Sequence, residues 1–236
     1  MANSYFSFKK FTIYQDKSAF KVGTDSVLLG ACSDVSGVKS ILDIGSGTGL
    51  ISIMLAQRCD AAITAIEPDH KSFVQNCENV SQCDWHDRIK VINTDLQNFN
   101  PDNGKFDLIV TNPPFFSDSL KNPDPRKSAA RHNDSLTTKE LLGGVVKFLN
   151  ENGCLQLVMP YVEGNVLIAE AYKYGLFCNS ILKIRPLPTA EIKRLILTFS
   201  RIQKKPIEKF LTIERGKRHE FTEEYINLTK DFYLKF

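Results

Sequence analysis

Residues typical of metal sites and disulfide frameworks are sparse in this sequence. The 236 residues include six cysteines without a Cys-x-x-Cys pair, and the four histidines are isolated from one another. Neither pattern has the spacing of a zinc site, so we expect no metal. Scattered cysteines also favour reduced thiols over disulfides, which is typical of a cytoplasmic protein.

Long apolar runs are absent as well. The sequence holds no run of eighteen apolar residues and no signal peptide core near residue 1, so we expect no membrane association. With 42% hydrophobic residues, the length suits a single α/β domain spanning 1–236. Within it we expect an N-terminal segment that covers a ligand (1–35), a core (36–201), and a C-terminal edge strand and helix (202–236). We expect a monomer.

Positive charge is distributed unevenly along the chain. The net charge is only +3, but residues 183–218 hold eleven Lys and Arg against three Asp and Glu, a local +8. A basic segment beside a near-neutral body suits a phosphate backbone. A solvated lysine-rich surface explains the same charges equally well.

A strand, a glycine-rich turn and a helix follow one another over residues 40–56. The turn is Asp43-Ile44-Gly45-Ser46-Gly47-Thr48-Gly49. This order is typical of a mononucleotide-binding unit, whose glycines let the backbone approach a ligand and whose helix presents free amides. Gly45, Gly47 and Gly49 occupy every second position, whereas the dinucleotide fingerprint is Gly-x-Gly-x-x-Gly. Asp43 would repel a pyrophosphate and attract an ammonium group, which favours S-adenosylmethionine as the cofactor.

Two further acidic residues follow the next strands. Glu67 comes directly after the apolar strand 62–66, where an acidic residue accepts hydrogen bonds from ribose hydroxyls. Asp95 follows a third strand, 89–93. It either accepts a hydrogen bond from the adenine amine of the cofactor or caps a short helix, and we weigh the two equally.

The loop Asn112-Pro113-Pro114-Phe115 follows the buried strand 107–111. The side-chain oxygen of Asn112 and the main-chain oxygen of Pro113 can accept from the two N–H bonds of a planar amine, which restores its lone pair as a nucleophile. Prolines offer no competing N–H and keep the loop extended. Phe115 can stack on a base, worth roughly 1–3 kcal/mol. A structural proline-rich turn is the alternative, but the upstream glycine motif favours methylation of an amino group.

The polar connection 116–135 leaves this loop directly, which suits substrate binding. Arg126, Lys127 and Arg131 are its candidate phosphate contacts, and a surface loop without a defined role is the alternative.

Helix signals complete the pattern. We expect Thr24 or Asp25 to cap a helix near residues 24–31, Asp69 to cap a second helix, Thr137 with Glu140 to form a capping box, and Thr222 to cap a final helix. The first helix either covers the sheet, or its preceding segment Lys21–Asp25 closes on a ligand. Spacing alone favours the first of these. The second helix is expected to carry Phe73, Val74, Cys77 and Val80 on one face.

With these motifs in place, the chain resembles the class I S-adenosylmethionine-dependent methyltransferases. The resemblance rests on Asp43–Gly49, Glu67, Asp95 and Asn112–Phe115 in this order. More narrowly, it resembles the bacterial tRNA(Val) adenine-N6-methyltransferases. That second resemblance rests on Phe20–Asp25, Leu28–Ala31, Ala130-Arg131, Tyr225, Leu228-Thr229 and Phe232–Leu234.

The resemblance implies a Rossmann-like class I methyltransferase fold. This is an α/β fold with a seven-stranded, mostly parallel sheet, one antiparallel strand that comes last, and helices on both faces. It implies N6-methylation of adenosine 37, 3′ to the anticodon of tRNA(Val), and it places Lys21, Thr24 and Asn112 beside the cofactor. Phe115 departs from the tyrosine that is also common there: its ring still stacks, but it offers no hydroxyl to position the substrate.

Three alternatives stay open on sequence. The first is methylation of an adenine in DNA or other RNA, or of a protein glutamine, by the same loop. The second is a nucleic-acid-binding protein that has lost catalysis, which the intact motifs disfavour. The third, a nicotinamide-dependent dehydrogenase, is disfavoured by the glycine spacing.

Overall fold

A computed structural model of the chain describes residues 3–18, 20–101, 104–113 and 136–236. Near its start, β1 (Tyr5–Ser7) and β2 (Thr12–Tyr14) form an antiparallel hairpin, as the alternating aromatic residues there suggest. Within the described residues no helix is long and apolar enough to cross a membrane.

Eight strands form the main sheet in the order β10-β8-β9-β7-β6-β3-β4-β5. They are β3 (Ser40–Ile44), β4 (Ala62–Ile66), β5 (Ile89–Ile92), β6 (Phe106–Thr111), β7 (Leu149–Pro160), β8 (Phe177–Arg185), β9 (Arg194–Ser200) and β10 (Ile207–Thr212). β9 is antiparallel to both of its neighbours, and the other pairs are parallel.

The expected count of seven strands is therefore wrong, although the α/β class and the single reversed strand are confirmed. The reversed strand is also not the last one. After β9 the chain crosses β8 and adds β10 as a parallel edge strand, with Thr212 paired to Arg185. The physical reason is that the C-terminal segment can still complete hydrogen bonds along the free edge of β8.

Helices cover both faces of the sheet. They are α1 (Thr24–Cys32), α2 (Leu50–Arg58), α3 (His70–Ser81), α4 (Thr138–Phe148), α5 (Tyr161–Tyr172) and α6 (Glu223–Thr229). Side chains of α1, α2 and α6 share one apolar core with alternate strand residues such as Leu108 and Val110. Side chains of α4 and α5 share the other core with residues such as Ile109 and Leu157. This alternation explains why the central strands are apolar throughout.

Three of the four expected helix starts have the expected caps. Asp69 accepts from the amide of Ser72, and Thr137 forms its capping box with Glu140. The capping prediction for α1 is wrong, because its N-cap is Gly23 and no side-chain bond closes that end. The Asp25 carboxylate instead accepts a hydrogen bond from Arg194, 2.8 Å away. Thr222 caps α6 as expected, by accepting from Tyr225.

The helix expected after Asp69 is present as α3, but the face that carries its four apolar residues is not the most buried one. Of the four apolar residues, only Val80 is buried, while Phe73, Val74 and Cys77 are half-buried. The other residues buried along this helix are polar: Ser72, Gln75, Asn76 and Asn79. Both sets have helical spacing, so periodicity alone does not show that α3 packs its amide side chains against loops that need hydrogen bonds.

The strand order determines where functional side chains meet. β3 lies between β4 and β6, so the direction of chain progression reverses at β3. Ile44 pairs with both Ile66 and Thr111 at the carboxyl ends of these strands. The next residues along the chain, Gly45, Glu67 and Asn112, therefore emerge side by side. Ligands of open α/β sheets bind at such a switch point.

Candidate active site

The glycine loop after β3 has a backbone that other residues rarely adopt. Gly45, Gly47 and Gly49 have φ angles of 67°, 54° and 82°. Since L-residues with a side chain avoid this region, glycine at every second position allows the tight turn. The amides of Gly45 and Ser46 both donate to the carbonyl oxygen of Ile66, at 3.0 and 3.1 Å. These bonds fix the loop to the end of β4.

Asp43 is buried near the end of β3, two residues before the first glycine of this loop. Its Oδ2 accepts a hydrogen bond from the Ser52 hydroxyl at 2.7 Å. Its Oδ1 is buried and has no hydrogen-bond partner among the described residues. Burial raises the pKa of Asp43 to about 6, although the bonds from Ser52 act in the opposite direction. An unpaired buried carboxylate oxygen is costly unless a ligand supplies a donor.

Glu67 lies against the glycine loop. Its two carboxylate oxygens accept from the amides of Gly47 and Asp69, at 2.8 and 2.9 Å. Burial raises the pKa of Glu67 to about 7, against the effect of those two hydrogen bonds. Because each carboxylate oxygen can accept a second bond, Glu67 can hold the loop and still receive a ligand hydroxyl.

Two amide side chains of α3 support the loop from below, and sequence reasoning missed both. Asn76 Nδ2 donates to Ser46 Oγ at 2.8 Å, and Asn79 Nδ2 donates to the carbonyl oxygen of Thr48 at 2.9 Å. A Cβ added to Gly49 would lie only 2.2 Å from Asn76 Oδ1. The sequence signal was present as amides three residues apart on the helix that follows Glu67.

Asn112 follows β6 at the same edge of the sheet. The Thr111 hydroxyl donates to the carbonyl oxygen of Ile44 at 2.8 Å, which ties the ends of β6 and β3 together. Asn112 Nδ2 donates to Ser26 Oγ at 2.8 Å, and Pro113 is buried. Phe115, Arg126, Lys127 and Arg131 lie outside the described residues.

Asp95 and Asp107 both hold backbone turns or strands. Asp95 Oδ1 accepts from the amide of Asn98 at 2.7 Å, and Oδ2 accepts from the Asn98 side chain at 2.9 Å. This closes a turn rather than a helix and occupies both oxygens once. Asp107 lies at the opposite end of β6, where it accepts from the amides of Lys39 and Ser40. The strand begins one residue earlier, at Phe106, and Asp107 is remote from the loop that follows Thr111.

The N-terminal segment connects the two parts of the site. The amide of Lys17 donates to Gln75 on α3, and Ser26 on α1 contacts Asn112. Between these contacts, the Lys21 ammonium group donates to the carbonyl oxygen of Gln15, and Thr24 is exposed. The chain therefore passes from the helix that supports the glycine loop to the Asn112 loop.

The topology divides the basic segment between the two ends of the sheet's strands. β9 runs opposite to β6, so Lys193 and Arg194, at the start of β9, lie at the end of the sheet where Asn112 follows β6. Lys204 and Lys205 follow β9 and lie at the opposite end of the sheet, where the amide of Lys204 donates to Asn179 near the start of β8. Only part of the +8 segment is therefore near the candidate site.

A family model described as "Methyltransferase small domain" matches residues 17–165, which include the glycine loop, Glu67 and Asn112. The chain belongs to this family. A relative from Bacteroides fragilis (strain YCH46), named tRNA1(Val) (adenine(37)-N6)-methyltransferase, is 44% identical over 100% of both chains. Membership of that narrower family is thereby shown as well, which confirms the resemblance found in the sequence.

Solved structures of methyltransferases share the fold. One is a predicted O-methyltransferase from Agrobacterium tumefaciens, with a TM-score of 0.65 and 18% identity, covering 88% of this chain and 96% of its own. Another is TYW2 of Pyrococcus horikoshii in complex with MeSAdo, with a TM-score of 0.58 and 15% identity, covering 84% and 71%. At these identities the likeness concerns the fold alone.

S-adenosylmethionine is the cofactor of this class, and the residues present fit it. Asp43 offers a buried acceptor without a partner among the described residues. A Cβ at Gly45 or Gly47 would meet nothing within 4 Å, so the loop faces open space. Glu67 retains acceptor capacity beside that space. These acceptors match an ammonium group and ribose hydroxyls better than a pyrophosphate.

Proposed function

We propose that this protein transfers a methyl group from S-adenosylmethionine to N6 of adenosine 37 in tRNA1(Val). The observation that carries the proposal is the position of Asn112 at the switch point of the sheet, beside the glycine loop. There its Nδ2 donates to Ser26 Oγ at 2.8 Å. The full-length relative from Bacteroides fragilis, named for this reaction, supports the choice of substrate.

The cofactor half of the site is assigned residue by residue. Asp43 would hold the ammonium group of the methionine end, and Gly45, Gly47 and Gly49 would let the backbone approach it. Glu67 would accept from the ribose hydroxyls, and Lys21 and Thr24 would border the cofactor. Asp95 would contact the adenine amine through its remaining lone pairs, or serve its turn alone. When bound, the cofactor supplies an electrophilic methyl group on a positively charged sulfur.

Asn112 and Pro113 activate the acceptor. The lone pair of an adenine amine is delocalised into the ring, which makes the amine a weak nucleophile. Asn112 Oδ1 and the carbonyl oxygen of Pro113 would accept from its two N–H bonds and return the lone pair to nitrogen. Phe115 would stack on the base. Holding the reacting atoms in near-attack geometry can supply several kcal/mol of the barrier, and the released proton can pass to solvent.

Phosphate binding is assigned to the chain that follows the loop. Arg126, Lys127 and Arg131 belong to the connection 116–135 that follows Phe115, and Lys193 lies at the end of the sheet that carries Asn112. Cationic side chains there would bind the phosphates of the anticodon arm. We further propose that the chain forms one domain with a cofactor-covering segment at 1–35, and that it acts as a monomer in the cytoplasm.

The experiment is an incubation with methyl-labelled cofactor and separate pools of tRNA, DNA and protein. We expect label in tRNA alone, and nucleoside mass spectrometry should identify it as N6-methyladenosine at position 37 of tRNA1(Val). Label in DNA adenine or in protein glutamine would contradict the proposed substrate. Absence of label from all three pools would contradict the enzymatic activity.

A further inference from the structure

The contact between Ser26 and Asn112 joins α1 to the loop after β6, across 86 residues of sequence. An asparagine side chain has a donor end and an acceptor end, and only the acceptor end can bind the N–H bonds of an amine. Which way the amide faces therefore decides whether Asn112 can activate its substrate.

We propose that Ser26 is a positioning residue for methyl transfer. Its Oγ accepts from Asn112 Nδ2 at 2.8 Å, which occupies the donor end of the amide and leaves Oδ1 for the substrate amine. The inference rests on the proposed function, because it assigns Ser26 a role in that reaction. A rotated amide would turn its own N–H groups toward those of the amine, so two donors would face each other.

The position of Ser26 is itself well defined. Val27, Leu28 and Leu29 are buried, and a Cβ at Gly30 would lie 2.9 Å from Met54 Sδ, so α1 lies directly against α2. A hydrophobic anchor of this kind keeps the helix from sliding along its axis. Ser26 thus presents its hydroxyl from a fixed surface.

The first turn of α1 is held by tertiary contacts. It lacks a side-chain cap, and Asp25 Oδ2 instead accepts from Arg194 Nε at 2.8 Å. Asp25 and Ser26 therefore reach from one helical turn to β9 and to the loop after β6. This arrangement resists fraying of the turn that carries Ser26, and it links α1 to β9 and to the loop after β6.

The test compares Ser26→Ala and Ser26→Thr with the wild type, and Ser81→Ala serves as a matched control. Ser81 is exposed at the end of α3, where its hydroxyl donates only to the carbonyl oxygen of Glu78. For each protein the measurements are kcat, KM for the nucleic acid, cofactor affinity, melting temperature, and the proton shift of the Asn112 side-chain amide in 15N-labelled protein.

We expect Ser26→Ala to lower kcat roughly two- to tenfold, the range that corresponds to one net hydrogen bond. Cofactor affinity and melting temperature should stay near wild type, and the Asn112 amide proton should move upfield. Ser26→Thr keeps the hydroxyl and should restore kcat and the proton shift, while Ser81→Ala should change none of these.

Two results would overturn the proposal. One is an unchanged kcat in Ser26→Ala, and the other is a fall in kcat that accompanies a lower melting temperature and is not restored by threonine. The kcat comparison uses whichever pool accepts methyl groups from the wild type. A wrong substrate would therefore overturn the proposed function while leaving the test of Ser26 intact.

Discussion

The two halves of the candidate site are built in different ways. The cofactor half, comprising β3 to β5 and their loops, takes its main groups from one short motif, 43–49, and from Glu67. The substrate half, comprising β6 to β10 and their loops, depends on contacts between residues 86 and 169 apart in sequence, Ser26–Asn112 and Asp25–Arg194. Each half has a motif in the sequence, 43–49 and 112–115, but the contacts that orient the substrate half form only after folding.

The halves also differ in how their charges are held. Asp43 and Glu67 are buried, with pKa values raised by burial to about 6 and about 7. The Asp25–Arg194 pair retains 25% and 34% exposure of its side chains. A buried carboxylate without a matched charge lowers stability, while an exposed pair changes it little. The cofactor half thus gives up stability for a polar cleft, and the substrate half does not.

The largest expected effect on folding comes from Gly49→Ala. The change places a side chain at φ 82° and within 2.2 Å of Asn76 Oδ1. Backbone strain and overpacking together should lower the free energy of unfolding by about 2–4 kcal/mol. Gly37→Ala is the matched control, because Gly37 has φ 71° and open space around its Cβ position. Urea denaturation of both variants should show the larger loss at Gly49, and equal losses would contradict packing of α3 against the loop.

Asp43→Asn should separate stability from cofactor binding. The folded-state pKa of Asp43 is raised from 3.8 to about 6, so the folded protein binds this proton more tightly than the unfolded chain does. The wild-type free energy of unfolding should therefore fall as pH rises from about 4 to about 6. Asp43→Asn removes the titrating group, so the free energy of unfolding of the variant minus that of the wild type should rise between about pH 4 and about pH 6. Above pH 6 the rise should total up to about 3 kcal/mol.

The same variant should bind the cofactor about ten- to hundredfold more weakly by calorimetry, because a charged hydrogen bond is lost. Asp34→Asn, at an exposed position, should change neither quantity. A stability difference that does not vary with pH would contradict the account of Asp43 as a buried, unpaired acceptor.

In the substrate half, replacing Arg126 and Arg131 by alanine should weaken tRNA binding. Each lost phosphate contact should reduce the slope of log binding constant against log salt concentration by about 1. Between low and moderate salt, the variant should therefore lose roughly threefold less affinity per lost contact than the wild type does. Lys204→Ala with Lys205→Ala removes equal charge from the opposite edge of the sheet and should leave the slope unchanged. Equal slopes for the two double variants would exclude Arg126 and Arg131 as contacts.

The smallest effect is expected from Asp25→Asn. Its pair with Arg194 is partly exposed, so the free energy of unfolding should fall by about 0.5–1 kcal/mol, and less at high salt. Glu170→Gln serves as a control. It breaks the exposed pair between Glu170 on α5 and Lys173 just after that helix, and it should leave methyl transfer unchanged. A loss above 2 kcal/mol for Asp25→Asn would show that the substrate half is as tightly coupled to folding as the cofactor half.

Sequence reasoning succeeded where the deciding interaction was local. Asp69 and the Thr137–Glu140 box bond backbone amides three residues away, so their spacing carries the information. It failed at α3, where apolar and polar stripes have the same period and only the presence of the glycine loop selects the buried one. It also could not find Ser26 as a partner of Asn112, because no pattern links positions that far apart. An edge strand was expected within 202–236, where β10 lies, but its parallel pairing with β8 depends on an edge that only the folded sheet provides.

The central claim is that Asn112, which also borders the cofactor, acts chiefly by activating the acceptor amine. The most direct test measures single-turnover methyl transfer to tRNA and cofactor affinity on the same preparation of Asn112→Ala. We expect the transfer rate to fall by about 100-fold or more, as for loss of a preorganised transition-state contact, while cofactor affinity stays within a few-fold. A transfer rate near that of the wild type would contradict the account.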